Sequence, residues 1–347
     1  MSNLSVEQAL SRIESLEQDG NWTAAIAALS ALNRDHRDTE LERRIAELRI
    51  RAFDDVDWPD AKAEWPPKIE DPFPLLAGNA SIPEISVDQL SATTLGGGIQ
   101  HHGSLIVRDL VPQEYIASLR ENIDRAMDGR KKGNSGIPIA ETAPWYAPPT
   151  AMRDHKLGAG RKFVELAGGI WAADCPRAMQ EIFDLYEELN LRSILHEYFG
   201  EPPCVSVRKW VLRRVGQLDG EADWHQDGSF MGAYVHSCNL WIALSHCGGE
   251  LETPGIELVP RRFNEIVTTG TDGTHFDWTV GADFVREKFS DTPPVTPEFR
   301  PGDAIFFDHF NLHRTSWSPN MKHDRYAIEC WFFGPSEFPE KQIPMIF

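Results

Sequence analysis

From Pro203 to Phe333 the chain is a succession of short apolar runs, each closed within a few residues by Gly, Pro, Asp or Ser. Runs of this length are too short for stable helices and have the β-branched and aromatic content of strands. Their spacing predicts strands at 204–215, 222–228, 237–246, 255–260, 264–268, 303–308 and 325–333. Many short strands behind a helical first half restrict the chain to an α+β arrangement, a sandwich or jelly roll with helices on one side.

The first half reads as helices. Ser5-x-x-Gln8 is a capping-box signature, followed by Leu10, Ile13 and Leu16 at helical spacing. Gly20 and Asn21 break that helix, and a second carries Trp22, Ala25, Ile26, Leu29 and Leu32. Thr39-x-x-Glu42 reads as another capping box, opening a third helix with Leu41, Ile45 and Leu48. Residues 1–55 are therefore expected to form a small helical appendage. Its apolar face should pack on the main domain, on a second copy of the chain or on a protein partner. Residues 56–86 are rich in proline, which forbids a long helix and predicts a linker or wrapping segment. The main domain is expected over 87–347. It opens with a strand at 103–108 and a helix from Val111-Pro112 to about Met127. A long loop at 130–160, the candidate lid, and a helix at 177–199 come next.

Charge removes whole classes of function. Lys and Arg number 34 against 53 Asp and Glu, a net charge of −19, so the chain repels phosphate backbones and nucleic-acid binding is not expected. No run reaches the roughly 18 apolar residues of a membrane span. The start, MSNLSVEQAL, lacks the basic and apolar blocks of a signal peptide. The cysteines at 175, 204, 238, 247 and 330 are scattered, odd in number and never spaced CxxC. They predict no zinc or redox motif and fit a reducing, cytoplasmic location.

The chemistry is carried by a few residues. In Trp224-His225-Gln226-Asp227, strand alternation would aim the imidazole of 225 and the carboxylate of 227 at one point. The other His-x-Asp, His36-Arg37-Asp38, falls at a helix boundary with nothing nearby to complete a site. Downstream, the turn Pro301-Gly302-Asp303 leads into the apolar run 304–307, and His313 follows. His309 competes with it for the same role, and the spacing to Arg325 favours His313. Two histidines and one carboxylate with open positions are the facial triad of non-haem iron oxygenases. Arg325, opening the last strand, can fork onto a carboxylate bidentately.

Five pieces in order resemble the phytanoyl-CoA dioxygenase family of Fe(II)/2-oxoglutarate oxygenases. They are HHGSLIVRDLVPQEYIASLRENI, HQDGSF, NLWIAL, GIELVPRRF and GDAIFFDHFNLHRT with the Arg325 strand. The resemblance spans roughly residues 90–333. It implies a double-stranded β-helix, the cupin-like jelly roll, with flanking helices. It implies Fe(II) held by His225, Asp227 and His313, with 2-oxoglutarate as co-substrate, O2 as oxidant, and Arg325 on the far carboxylate. Gln226, Trp241 and Trp210 match positions lining the co-substrate pocket. The activity implied is a dioxygenase that hydroxylates a small molecule and releases succinate and CO2. A carboxylate at 227 stands where halogenating relatives carry a small residue, so halogenation is not expected. The chain departs from the pattern at Pro260-Arg261-Arg262-Phe263, where the family has Pro-Gly-Ser-His. Two rivals are an inactive jelly-roll binding module and a zinc-dependent hydrolase on a cupin-like barrel. The second leaves Arg325 without a role.

Overall fold

The computed structural model describes residues 5–58, 64–76, 81–152, 157–216 and 221–347. Its strands are β1 (Glu84–Ser86), β2 (Ser104–Arg108), β3 (Gly169–Trp171), β4 (Cys204–Val215), β5 (Ser237–Ala243), β6 (Ile256–Leu258), β7 (Ala304–Phe307), β8 (His313–Thr315), β9 (Arg325–Phe333) and β10 (Pro344–Ile346). One sheet runs β1-β2-β7-β5-β9-β4-β10, with β3 also pairing β4. Only β1 and β2 run parallel; every other pair in this sheet is antiparallel. Strands β5 and β7 are buried along their whole length, which explains why residues 240–243 and 304–307 are continuous apolar runs rather than alternations.

A second layer is built from the pair β6–β8 and from isolated antiparallel bridges. These join Trp224 to Val280, His225 to His313 and Leu258 to Val295. The layer lies over one face of the large sheet, where the ring of His313 meets that of Phe307 at 4.8 Å.

The helices are α1 (Val6–Gln18), α2 (Trp22–His36), α3 (Thr39–Arg51), α4 (Ala92–Gly97), α5 (Gln113–Asn134), α6 (Ile139–Thr142), α7 (Gly158–Leu166), α8 (Pro176–Glu188), α9 (Leu191–Phe199), α10 (Gly228–Met231) and α11 (Ala282–Lys288). Those before β4 supply the helical cover of the other face, whereas α10 and α11 belong to the second layer, α10 following Asp227 and α11 packing Val285 beside Trp224. On β4, Trp210 points into this helical side and packs edge-on against Phe183 of α8 at 4.6 Å.

Several boundaries differ from the sequence reading. The helix expected to stop near Met127 runs on to Asn134, so the expected loop at 130–160 is shorter and carries α6 and α7. Residues 153–156 of that segment lie outside the described residues. The helix expected at 177–199 is two, because Asn190 sits at φ 55 and breaks the hydrogen-bond ladder. Residues 264–268 form no strand, and 222–228 contributes only bridges before turning into α10. The short strands β1, β3, β8 and β10 were not expected, since three residues carry too little periodicity to read. The cap of α3 is Asp38, which accepts from the backbone N–H groups of Glu40 and Leu41, and not a Thr39 box.

Glu42 is free of capping because it does something else. It is fully buried and pairs with Arg177 of α8. Arg49 of α3 donates to the Ile346 carbonyl of β10 at 2.8 Å, and the apolar residues of α1–α3 join the same cluster as the sheet's core. In the segment after α3, Trp65 stacks on His236 at 4.6 Å and also touches Tyr198 and Phe199, so its described part wraps the main body.

Burial holds the Glu42 pKa above its ordinary value, with Arg177 acting against that rise. Arg177→Met should therefore lower unfolding free energy in urea by on the order of 3 kcal/mol, leaving a buried carboxylate unpaired. Arg43→Met, which breaks an exposed pair with Glu40, should change it by less than about 1 kcal/mol. Equal losses for the two variants would show that the Glu42–Arg177 pair does not tie α3 to α8.

Candidate metal centre

Pairing registers decide which side chains share the face beneath the second layer. Glu329 of β9 lies opposite Val211 of β4 and Trp241 of β5. Counting in twos places Lys209, Arg213, Arg325, Asn239 and Trp331 on that same face, and Trp210 on the opposite one. A sheet face covered on its far side by another layer would ordinarily be apolar. Here it carries four charged groups.

Above this face the second layer brings three ligand types together. Among the described residues, His225, Asp227 and His313 offer ligand atoms that all lie within 4.8 Å of one another. The two histidines form a backbone bridge, each N–H donating to the other's carbonyl at 2.9 and 3.0 Å. Their side-chain nitrogens are set alike. Nδ1 of His225 faces the Asp223 carbonyl at 3.3 Å, and Nδ1 of His313 faces the Asn311 carbonyl at 3.1 Å. A carbonyl only accepts, so both Nδ1 atoms carry the proton and both Nε2 lone pairs are left for a metal. Strand alternation does not bring Asp227 into place, as the sequence reading assumed. Asp227 has helical torsions, φ −61 and ψ −24, and caps α10, so a turn swings its carboxylate back beneath the histidines. Gly228 makes this turn feasible: a Cβ there would lie 2.9 Å from the His309 ring and 3.0 Å from its carbonyl oxygen.

The carboxylate of Asp227 is divided between two neighbours. Oδ1 accepts from Lys209 Nζ at 2.6 Å, while Oδ2 lies 3.7 Å from His313 Nε2. Burial alone would raise the Asp227 pKa. Lys209, His225 and His313 together outweigh it and hold the pKa at about 2. The His225 pKa is pushed down to about 4, by burial first and then by His313 and Lys209, against the pull of Asp227. At neutral pH His225 is therefore a neutral imidazole and Asp227 a carboxylate, the states in which each can bind a divalent ion.

His309 is not in this group. It is buried, its Nδ1 lies 2.7 Å from the Ser237 hydroxyl and its Nε2 is 3.2 Å from the Ala233 carbonyl, so neither nitrogen is free. Gln226 points away from the ligands. Its amide donates to the carbonyls of Glu265 and Phe310 and accepts from the Val267 N–H, clamping the loop after β6. Trp241 lies on the site face, with the Arg325 guanidinium 5.6 Å above its ring.

Arg325 itself is 2% exposed. Its Nη1 donates to the Gly255 carbonyl at 3.0 Å, and its Nε has no partner. Among the described residues no carboxylate lies within ion-pair distance. The other basic groups on this face are matched, Lys209 by Asp227 and Arg213 by Glu329 at 2.6 Å. Asn239 adds a buried, unpartnered Oδ1 to the same face.

Sequence reasoning missed Lys209, Arg213, Glu329 and Asn239. The signal available was charge inside otherwise buried strand runs, Arg208-Lys209 in β4 and Glu329 in β9. Arg213 turns inward and pairs with the nearly buried Glu329.

No protein-family model matches the chain, and no curated protein matches it. Among solved structures, AviO1 from Streptomyces viridochromogenes Tue57 is 16% identical with a TM-score of 0.41, covering 70% of this chain and 94% of that one. EctD from S. alaskensis, solved with 2-oxoglutarate and 5-hydroxyectoine, is 15% identical with a TM-score of 0.45, covering 80% and 82%. The epimerase SnoN, solved with Fe3+, alpha ketoglutarate and nogalamycin RO, is 14% identical with a TM-score of 0.39, covering 67% and 79%. At TM-scores this low the likenesses decide neither fold nor chemistry for this chain. Among the described residues no helix is long and apolar enough to cross a membrane.

The shifted His225 has a measurable consequence. Folded His225 takes up its proton only near pH 4, whereas an unfolded histidine does so near 6.5. Between those values the unfolded chain binds more protons. The His225 contribution to stability is thus complete above pH 6.5 and is lost as pH falls toward 4. Metal-free wild type should lose more stability across that window than His225→Asn, measured by urea denaturation at each pH. Parallel curves for the two proteins would show that His225 titrates as an ordinary histidine.

Proposed function

We propose that this chain is an Fe(II)- and 2-oxoglutarate-dependent oxygenase that hydroxylates a small molecule. In this reading its two layers are the major and minor sheets of a double-stranded β-helix. The observation that carries it is Arg325, a buried guanidinium with an unpartnered Nε and no carboxylate partner among the described residues, on the sheet face beneath the His225–Asp227–His313 group. A buried unpaired charge is costly unless something pairs it, and a co-substrate carboxylate would do so.

The residues present fit a non-haem iron. Two Nε2 atoms freed by their Nδ1 bonds and one carboxylate oxygen make a mixed nitrogen–oxygen donor set. When bound, iron with 2-oxoglutarate and O2 supplies the oxidising power that puts one oxygen atom into a substrate C–H bond, while 2-oxoglutarate becomes succinate and CO2. The chain's own part is positional. His225, Asp227 and His313 hold the ion. Lys209 occupies the second oxygen of Asp227, so that one oxygen is left for the metal. Arg325 binds the far carboxylate against the Trp241 ring and its fork selects a planar anion. Gln226 braces the ligand turn from behind. Trp210 lies on the helical face of β4, so in this reading it supports the sheet from outside the pocket. A zinc hydrolase could use the same three ligands, but it leaves Arg325 unexplained.

Two experiments test this. Under argon, Fe(II) and 2-oxoglutarate added to the wild type should produce the visible metal-to-ligand absorption band of the chelate. His313→Ala should not produce it, and His309→Ala should. No band in the wild type would refute the iron assignment, and a band in His313→Ala but not in His309→Ala would move the third ligand.

Arg325→Ala should weaken 2-oxoglutarate binding by roughly 10²–10³-fold, since breaking a buried pair costs about 3–5 kcal/mol. Arg325→Lys should fall between, keeping charge and losing the fork. Fe(II) affinity without co-substrate should be unchanged in both, read by metal titration. Wild-type 2-oxoglutarate affinity in Arg325→Ala would show that the co-substrate is held elsewhere.

A further inference from the structure

A single file of rings leads from the surface to His225. Phe163 on α7 and Phe276 on the loop after β6 are 53% and 46% exposed, and they meet edge to face at 6.3 Å. Phe276 lies nearly parallel to Trp278, centroids 5.3 Å apart and planes 20° apart. Trp278 then turns its edge to Phe230 at 5.0 Å and meets the His225 ring at 6.0 Å and 87°. Of the three metal-ligand candidates, the two histidines are partly exposed and Asp227 is 2% exposed. The rings therefore reach the group from its histidine side.

The file is held in register with the ligand by one residue. The Asp223 carboxylate accepts from the His275 backbone N–H at 2.7 Å and from the Thr279 hydroxyl at 2.8 Å, and it lies 2.8 Å from the His275 ring nitrogen. These bonds bracket Phe276 and Trp278. The carbonyl of the same Asp223 faces His225 Nδ1. Large rings left half exposed in a line, on a loop fastened this firmly, are not explained by packing.

We propose that this file is the substrate's binding track and that the substrate is a small molecule with a planar, apolar ring system. The proposal rests on the reading of His225 as an iron ligand. Alternating stacked and edge-on rings present π faces and edges that complement another flat ring, and such contacts add to simple area burial. A flexible chain gains nothing from that geometry. A macromolecular partner would call for a broad patch, whereas these rings form a line that ends at the metal group.

Equilibrium dialysis of the full chain against 2-naphthol and 1-decanol, matched in carbon number, tests this. Wild type should bind 2-naphthol at least about tenfold more tightly than 1-decanol. Phe276→Ala should lose at least about tenfold of that affinity, equivalent to about 1.4 kcal/mol. Phe163→Ala, at the outer end, should lose less. Both residues are about half exposed, so neither change removes core. The iron and 2-oxoglutarate absorption band should persist in both variants. Equal affinity for the two probes, or wild-type naphthol binding by Phe276→Ala, would overturn the proposal. So would a changed oligomeric state in the two variants without naphthol binding, which would assign the rings to a second copy. A wild type that forms no absorption band but binds naphthol in this pattern would refute the iron reading and leave the ring track standing, because dialysis needs no metal.

Discussion

The reciprocal backbone hydrogen bonds between His225 and His313 set the geometry on which the site depends. A metal group works only if its ligands are held at the right separation before the ion arrives. Here two candidate ligands nearly 90 residues apart in sequence are zipped to each other through their own peptide groups. Each ring is then oriented by a carbonyl two residues upstream, which also fixes its tautomer. The third candidate follows from the first, because Asp227 lies in the turn that the Gly228–His309 backbone bond closes.

Electrostatics explains why this arrangement sits where it does. The inner face of the large sheet carries Lys209, Arg213, Arg325 and Glu329 in surroundings poor in water. Burying a charge without a partner costs several kcal/mol, so such groups persist in pairs. Lys209 with Asp227 and Arg213 with Glu329 meet that requirement within the chain. Arg325 has no such pair among the described residues, and burial pushes its pKa down to about 10. The same face also holds Asn239 Oδ1, a second buried polar atom without a hydrogen-bond partner.

Asp223 connects the two halves of the site. Its side chain fastens the loop bearing Phe276 and Trp278, and its main chain orients His225. Displacing that loop would disturb the orientation of His225, so the segment that meets solvent and the His225–Asp227–His313 group are mechanically linked.

Much of this was legible in the residues themselves. Capping at Ser5, the apolar runs of β4, β5, β7 and β9, and the grouping of His225, Asp227 and His313 over His309 were all read from local pattern and spacing. Local pattern works there because periodicity reports which face is buried. It could not reveal three-residue strands such as β8, nor the break at Asn190, because too few residues repeat. It also placed Asp227 on a strand when the chain turns into α10 instead. The partners lay beyond its reach for a different reason. Lys209 meets Asp227, Arg213 meets Glu329 and Glu42 meets Arg177 only because registers between distant strands and helices bring them together. The sequence determined which chemical groups the chain carries and which stretches become its buried strands. Tertiary structure alone decided which of those groups face one another, because pairing across a sheet depends on register, and register is a property of two segments at once.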